Sequence, residues 1–171
     1  MRHVFNIVVC VNILLASGSY AQTVHQQTPI ASKGETVIVA TSMKLNVRVK
    51  ILTHEVEIGK PSDKRPDVTR SICTYSRYPC SIVDAMDIAV SGKPITVPRS
   101  VFCDLADLNS AEIRIEQNES ILTLTGGDAS ESYIVKIVFD TERVKRKTLS
   151  SGMTPNEPLQ ETTYQKGILR D

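Results

Sequence analysis

The sequence predicts an all-β protein, built as a single antiparallel β-sandwich or a curled meander sheet with one short helix. Three observations lead to this expectation. Apolar residues alternate with other residues over long stretches, as they do across residues 37–51. Turn-forming residues such as Gly92 and the Gly126-Gly127 pair separate these stretches at short intervals. Only residues 99–108 carry apolar side chains at helical spacing.

The first strands are expected between residues 37 and 58. A single strand of that length would be unusual, so we expect a break at Thr41-Ser42. The apolar positions then change from odd to even numbers after residue 51. A bulge or bend near Thr53 would produce this change.

The middle of the chain predicts a hairpin followed by the short helix. Residues 82–85 fit one helical turn, and strand-like residues resume at 86–90 and 95–97. Gly92 lies between them and supplies the positive φ that a tight hairpin turn needs. The predicted helix covers residues 99–108.

The last part of the domain predicts a meander. Residues 111–116 alternate cleanly, and residues 121–125 return after a polar turn. Residues 133–139 are apolar on both faces except at Lys136, which predicts the central and most buried strand. Residues 143–149, which contain four basic side chains, are expected to close the sheet as an edge strand protected by its charges.

Residues 1–21 predict an export signal. A basic start leads into an apolar run at residues 4–15, and the small residues Ser19 and Ala21 precede the expected cleavage before Gln22. The apolar run is shorter than the roughly 20 residues that a membrane-spanning helix needs. We therefore expect a secreted or periplasmic protein whose mature chain has no transmembrane segment.

The remaining 150 residues suit one domain. We expect a flexible N-terminus at residues 22–35, an antiparallel β domain at 36–150 and a flexible tail at 151–171. After removal of Arg2 with the signal, 19 basic and 19 acidic side chains remain. A general nucleic-acid binder is usually clearly basic, so we expect no nucleic acid among the partners.

Three cysteines remain in the mature chain: Cys73, Cys80 and Cys103. In an oxidising compartment two of them should pair, although the sequence leaves the connectivity open. We favour a disulfide between Cys73 and Cys80, which closes an eight-residue loop. Cys103 follows Val101 and Phe102, and this apolar setting predicts a buried, inert thiol.

The side chains needed for catalysis are scarce. The mature chain has two histidines, and neither belongs to a known zinc-binding or hydrolase spacing, so we expect no metal and no cofactor. His54 is expected to be an exposed strand residue. A secreted hydrolase that uses Cys103 or paired carboxylates is an alternative, for which the pairs are Asp84 with Asp87 and Asp104 with Asp107.

The loop between Cys73 and Cys80 is the strongest candidate for recognition. It carries Tyr75, Arg77 and Tyr78, and Arg70 precedes it. Tyrosine and arginine are common in binding hot spots because they combine a large contact area with a polar end. A ring closed by a disulfide would also lose less entropy on binding.

These observations favour an exported, non-catalytic protein that binds a protein or another envelope macromolecule, as inhibitors, immunity proteins and envelope adaptors do. Two alternatives remain open at this point. One is the secreted hydrolase. The other is a structural envelope subunit that assembles by strand exchange through a long, exposed sheet edge.

Overall fold

The computed structural model describes residues 27–59, 72–117 and 119–166. Two antiparallel sheets pack around one hydrophobic core, which confirms the predicted all-β class. The six-stranded sheet has the order β1-β6-β7-β8-β9-β10 and the four-stranded sheet the order β2-β3-β4-β5. The strands are β1 Thr28–Pro29, β2 Gly34–Thr41, β3 Asn46–Val56, β4 Cys80–Val90, β5 Lys93–Ile95, β6 Leu108–Ile115, β7 Ser120–Gly126, β8 Tyr133–Phe139, β9 Val144–Ser151 and β10 Pro158–Thr163.

Alternation along the strands builds the core from both sheets. Strand β3 turns Val47, Val49 and Ile51 inward, and all three are fully buried. They face the buried side chains of β7 and β8, among them Leu122 and Ile137. The prediction that residues 133–139 form an interior strand is confirmed, since β8 lies between β7 and β9.

The hairpins of the four-stranded sheet follow local signals in the sequence. Strands β2 and β3 are separated by a turn at residues 42–45, in agreement with the predicted break. Ser91 and Gly92 both have positive φ in the turn between β4 and β5. The register shift near Thr53 is present, but Leu52 pairs with Ala85 and Thr53 with Val83. The extra residue of the bulge is therefore Asp84 of β4, and Leu52 stays on the outer face.

Two predicted helical segments are wrong. Residues 82–85 belong to β4, and residues 99–108 contain only a 3₁₀ turn at Arg99–Val101 before β6 begins. Long-range pairing explains both errors. The Val83 N–H donates to the Leu105 carbonyl at 3.2 Å, and Ile82 forms an antiparallel bridge with Ala106. Residues 82–85 are therefore held extended between β3 and residues 105–106, and the pairing at residues 105–106 ends the turns that follow the 3₁₀ turn. These long-range contacts outweigh the helical spacing of the apolar residues.

Both chain ends were expected to be flexible, yet each contains a strand. Strand β1 pairs with β6, and β10 pairs with β9. Because β10 covers β9, the latter is an interior strand and not the predicted edge. Lys147 of β9 pairs with the buried Ile137 and therefore lies on the inner face, where it is only 4% exposed and forms an ion pair with Asp104. Its ammonium anchors the segment between the 3₁₀ turn and β6.

Candidate functional site

The predicted disulfide between Cys73 and Cys80 is present, and its two Cα atoms lie 5.6 Å apart. Cys80 is fully buried at the start of β4, so one end of the loop is fixed to the four-stranded sheet. The residues between the cysteines form turns and bends. They cross the end of the sandwich where β6 begins and where β7 ends.

Asp107 connects this loop to the six-stranded sheet. Its side chain is 1% exposed and its carboxylate accepts two backbone hydrogen bonds, from the Thr74 N–H at 2.7 Å and the Ser81 N–H at 2.9 Å. The Asp107 N–H donates in turn to the Ser81 carbonyl at 2.6 Å. Asp107 has φ near 51°, a conformation that aspartate and asparagine tolerate better than most residues. One carboxylate therefore holds both ends of the loop.

Arg77 fixes the loop from the other side. Its guanidinium donates to the Asp107 carbonyl and the Gly127 carbonyl, each at 3.2 Å, and to the Asn109 Oδ1 at 2.5 Å. Asn109 also donates to the Gly127 carbonyl at 2.9 Å. The fork of N–H donors thus joins the loop to the first residues of β6 and the turn after β7.

Two further carboxylates contact the tip of the loop. The Glu131 carboxylate accepts the Tyr75 N–H at 2.7 Å, and Asp128 accepts the Ser76 hydroxyl at 3.4 Å. Both acids belong to the Gly-rich turn between β7 and β8, which contains a 3₁₀ turn at Ala129–Glu131. This turn is more than a hairpin connection, because its acids satisfy donors of the disulfide loop.

Tyr133 packs at the same end of the sandwich as the disulfide loop. Its ring lies over Gly126, its cross-strand neighbour, and its hydroxyl donates to the Ala106 carbonyl. Burial raises the pKa of the Tyr133 hydroxyl above its usual value. The neutral phenol thereby ties β8 to the residue that precedes Asp107.

The loop presents one aromatic side chain to solvent. Tyr75 is 62% exposed, and Ile72 beside the ring is partly exposed. Tyr78 is half-buried, and Arg70 lies outside the described residues. The structure therefore brings Tyr75, Arg77 and Tyr78 together in one loop and turns the Arg77 guanidinium toward the sheet. Their role in partner binding stays a prediction.

The groups considered for catalysis lie in different environments. Asp104 pairs with Lys147, whereas Asp107 is occupied by the loop. Cys103 was expected to be buried, but its thiol is free and exposed because the chain turns outward after the buried pair Val101 and Phe102. His54 is exposed as predicted, and its Nδ1 lies 2.7 Å from the Asp84 carboxylate, a partnership created by the β4 bulge.

Within residues 27–59, 72–117 and 119–166, no group of three or more histidine, cysteine or acidic side chains could hold a metal ion. No helix in the same part of the chain is long and apolar enough to cross a membrane.

Sequence reasoning missed the acids that hold the loop. Asp107, Asp128 and Glu131 lie 33, 52 and 56 residues from their partners in the loop, so no local pattern relates them. Comparison with protein-family models, curated proteins and solved structures finds no match for this chain. The geometry of the loop at residues 73–80 is therefore the basis for a functional proposal.

Proposed function

We propose that this protein is an exported, non-catalytic binding protein that captures a protein or another macromolecule of the envelope through the loop at residues 73–80. One observation carries the proposal: Tyr75 is largely exposed on a loop that is held by a disulfide and whose backbone N–H groups are bound by the carboxylates of Asp107 and Glu131. An exposed tyrosine offers a large contact area with a polar end. A backbone that is already ordered loses less entropy when a partner binds.

The disulfide also supports export. Structural disulfides persist in oxidising compartments and are rare in the cytosol of most organisms. The predicted signal at residues 1–21 lies outside the described residues, and its cleavage is part of the proposal. N-terminal sequencing of protein recovered from the secreted or periplasmic fraction is expected to begin at Gln22.

Site-specific photo-crosslinking tests the binding surface. A photoreactive amino acid replaces Tyr75 in one variant and Leu159 in a matched control, because Leu159 is 70% exposed and lies on β10, away from the loop contacts. Both variants are expressed in the native host and irradiated. We expect a discrete covalent adduct from position 75 and none of the same mass from position 159.

A second variant separates binding from folding. Wild-type protein without a photoreactive group, added in excess, should compete for the partner and suppress the adduct, whereas added Tyr75→Ala should not. Tyr75→Ala should change the free energy of unfolding by less than about 1 kcal/mol, as expected for an exposed side chain. An adduct that forms equally at both positions would contradict the proposed surface, as would one whose formation is suppressed by added Tyr75→Ala as well as by the added wild type.

A further inference from the structure

Strand β2 differs from the other strands at the margins of the two sheets. Among the described residues, β1, β2, β5 and β10 are the terminal strands. Three of these contain a proline, namely Pro29, Pro94 and Pro158. Proline removes a backbone donor and is a common device for keeping an edge from pairing.

Strand β2 lacks this protection. It is eight residues long, contains no proline, and has Glu35 as its single charged residue. The adjacent part of β6 that extends beyond β1 carries Glu112 and Arg114, which are the kind of charges that protect an edge. Among the described strands, the long apolar edge is therefore that of β2.

The register shows which backbone groups of β2 point outward. The Ser42 N–H donates to the Leu45 carbonyl at 2.8 Å, so Ser42 and Leu45 form a hydrogen-bonded pair. In an antiparallel ladder such pairs alternate with pairs that are not hydrogen-bonded. Val39, which pairs with Arg48, and Val37, which pairs with Lys50, therefore direct their N–H and C=O groups away from β3.

The side chains at these positions are apolar and accessible. Val37 is 36% exposed and Val39 is 57% exposed on the outer face, and Leu52 extends the same patch onto β3. Ile38, by contrast, is buried on the inner face. An added strand would cover the two valines while leaving the core packing of β2 unchanged.

We infer that β2 is the interface of a homodimer, in which the β2 strands of two copies pair antiparallel about a twofold axis. This inference goes beyond the proposed function and uses a different surface. A register centred on Ile38 places Val37 opposite Val39 of the second copy and Glu35 opposite Thr41. The Val37–Val39 and Glu35–Thr41 pairs join residues with outward backbone groups and form the hydrogen-bonded pairs of the new ladder. They alternate with pairs of even-numbered residues that are not hydrogen-bonded across the interface.

Charge favours the antiparallel arrangement over the parallel one when two copies meet at β2. In the antiparallel register each Glu35 faces a threonine, and the two glutamates lie at opposite ends of the interface. A parallel arrangement would set Glu35 beside its own copy, and like charges directly opposite each other are destabilising. Glu35 also has Lys50 of its own chain at 3.6 Å, which leaves the apolar valines as the complementary surface.

Sedimentation velocity over a range of micromolar concentrations tests the inference with mature protein carrying Cys103→Ser. We expect a concentration-dependent dimer. The double variant Val37→Lys/Val39→Lys places lysines opposite each other and should be monomeric with an unchanged circular dichroism spectrum. Leu159→Lys puts the same charge on the exposed edge of β10 and should still dimerise.

Disulfide trapping tests the register. In the Cys103→Ser background, a mixture of Val37→Cys and Val39→Cys chains should oxidise to a covalent dimer because the two positions face each other. Either variant alone should give little product. A wild-type protein that stays monomeric at every concentration overturns the inference, as does a dimer that survives the lysine pair. Tyr75→Ala should leave the dimer intact, which distinguishes this result from failure of the proposed binding loop.

Discussion

The carboxylate of Asp107 accepts the backbone N–H of Thr74 at 2.7 Å across 33 residues of sequence. Asp107 is almost completely buried, so this contact is shielded from water. A charged acceptor with two backbone donors is strong in such surroundings. The disulfide loop is consequently attached to the sandwich by electrostatics as well as by the covalent link at Cys80.

Replacement of Asp107 should release the loop. Asp107→Asn keeps the side-chain shape and tolerance of positive φ but replaces one acceptor oxygen with a donor, which faces an N–H group. We expect a loss of about 1–3 kcal/mol in the free energy of unfolding, the usual cost when a buried hydrogen bond to a charged group is broken. Urea unfolding measures the change. The exposed neighbour variant Asp104→Asn is not a suitable control because of Lys147, whereas Asp87→Asn lies on the outer face of β4 and should cost far less.

Hydrogen exchange adds a local readout to the same variant. The amides of Thr74 and Ser81 should lose protection in Asp107→Asn, while amides in the centre of β8 keep theirs. Equal exchange rates in the wild type and the variant would contradict the role that we assign to the carboxylate.

Alkaline pH should destabilise the fold through Tyr133. Burial raises the pKa of this hydroxyl in the folded state, whereas an unfolded tyrosine ionises near pH 10. The sign follows from linkage: the stabilisation is complete below the unfolded pKa and is lost as the pH rises toward the folded pKa. Tyr133→Phe removes the titrating group, so its free energy of unfolding should fall less steeply above about pH 10.

Thermal unfolding of both proteins across this alkaline range provides the measurement. At neutral pH, Tyr133→Phe should be less stable than the wild type because the hydrogen bond to Ala106 is missing. The two stabilities should converge as the pH rises. Parallel curves would show that Tyr133 does not carry the alkaline sensitivity.

A side chain at position 126 should destabilise the fold while Tyr133 is present. A Cβ atom at Gly126 would overlap the ring of Tyr133 across the β7–β8 pair. We expect Gly126→Ala to cost about 1–3 kcal/mol, as overpacking commonly does. In the double variant with Tyr133→Ala the cost of the alanine should largely disappear, which a double-mutant cycle in urea would detect. Additive losses would mean that the ring is not the obstacle.

Cys103 should be the one reactive thiol of the mature protein. Cys73 and Cys80 form the disulfide, and the thiol of Cys103 is free and exposed. Thiol titration of the native mature protein should give one equivalent per chain, and Cys103→Ser should give none. On oxidation the wild type should form a dimer on non-reducing gels that Cys103→Ser does not form. Full reactivity only after unfolding would contradict the exposed position.

The fold was predictable where neighbours in sequence determine the conformation. Gly92 identifies the hairpin between β4 and β5, and the short separation of Cys73 and Cys80 favours their disulfide over the other pairings. The helix predictions for residues 82–85 and 99–108 are wrong because pairing with β3 and the contacts of residues 82–83 with residues 105–106 decide the conformation, which a local pattern does not encode.

The candidate site was predictable to the same extent. The sequence identifies the loop with its two tyrosines, but it shows neither that Tyr75 is the exposed one nor that Asp107 and Glu131 hold the loop. Arg77 looks like a contact residue in sequence, and only the arrangement of β6 and the turn after β7 explains why its guanidinium faces three acceptors of the same chain. Aspartates in turns are common, so nothing marks Asp107 until the sheets are assembled.

The prolines at the rims of the sandwich set a limit on how copies of this chain can join. A fibre that grows by strand addition needs two edge strands on every copy that can each pair with a strand of another copy. Three of the four terminal strands contain a proline, namely Pro29, Pro94 and Pro158, and the fourth, β2, contains none. Backbone pairing between copies through the described strands is therefore expected to stop at two, so that the valine-rich edge does not lead to filaments.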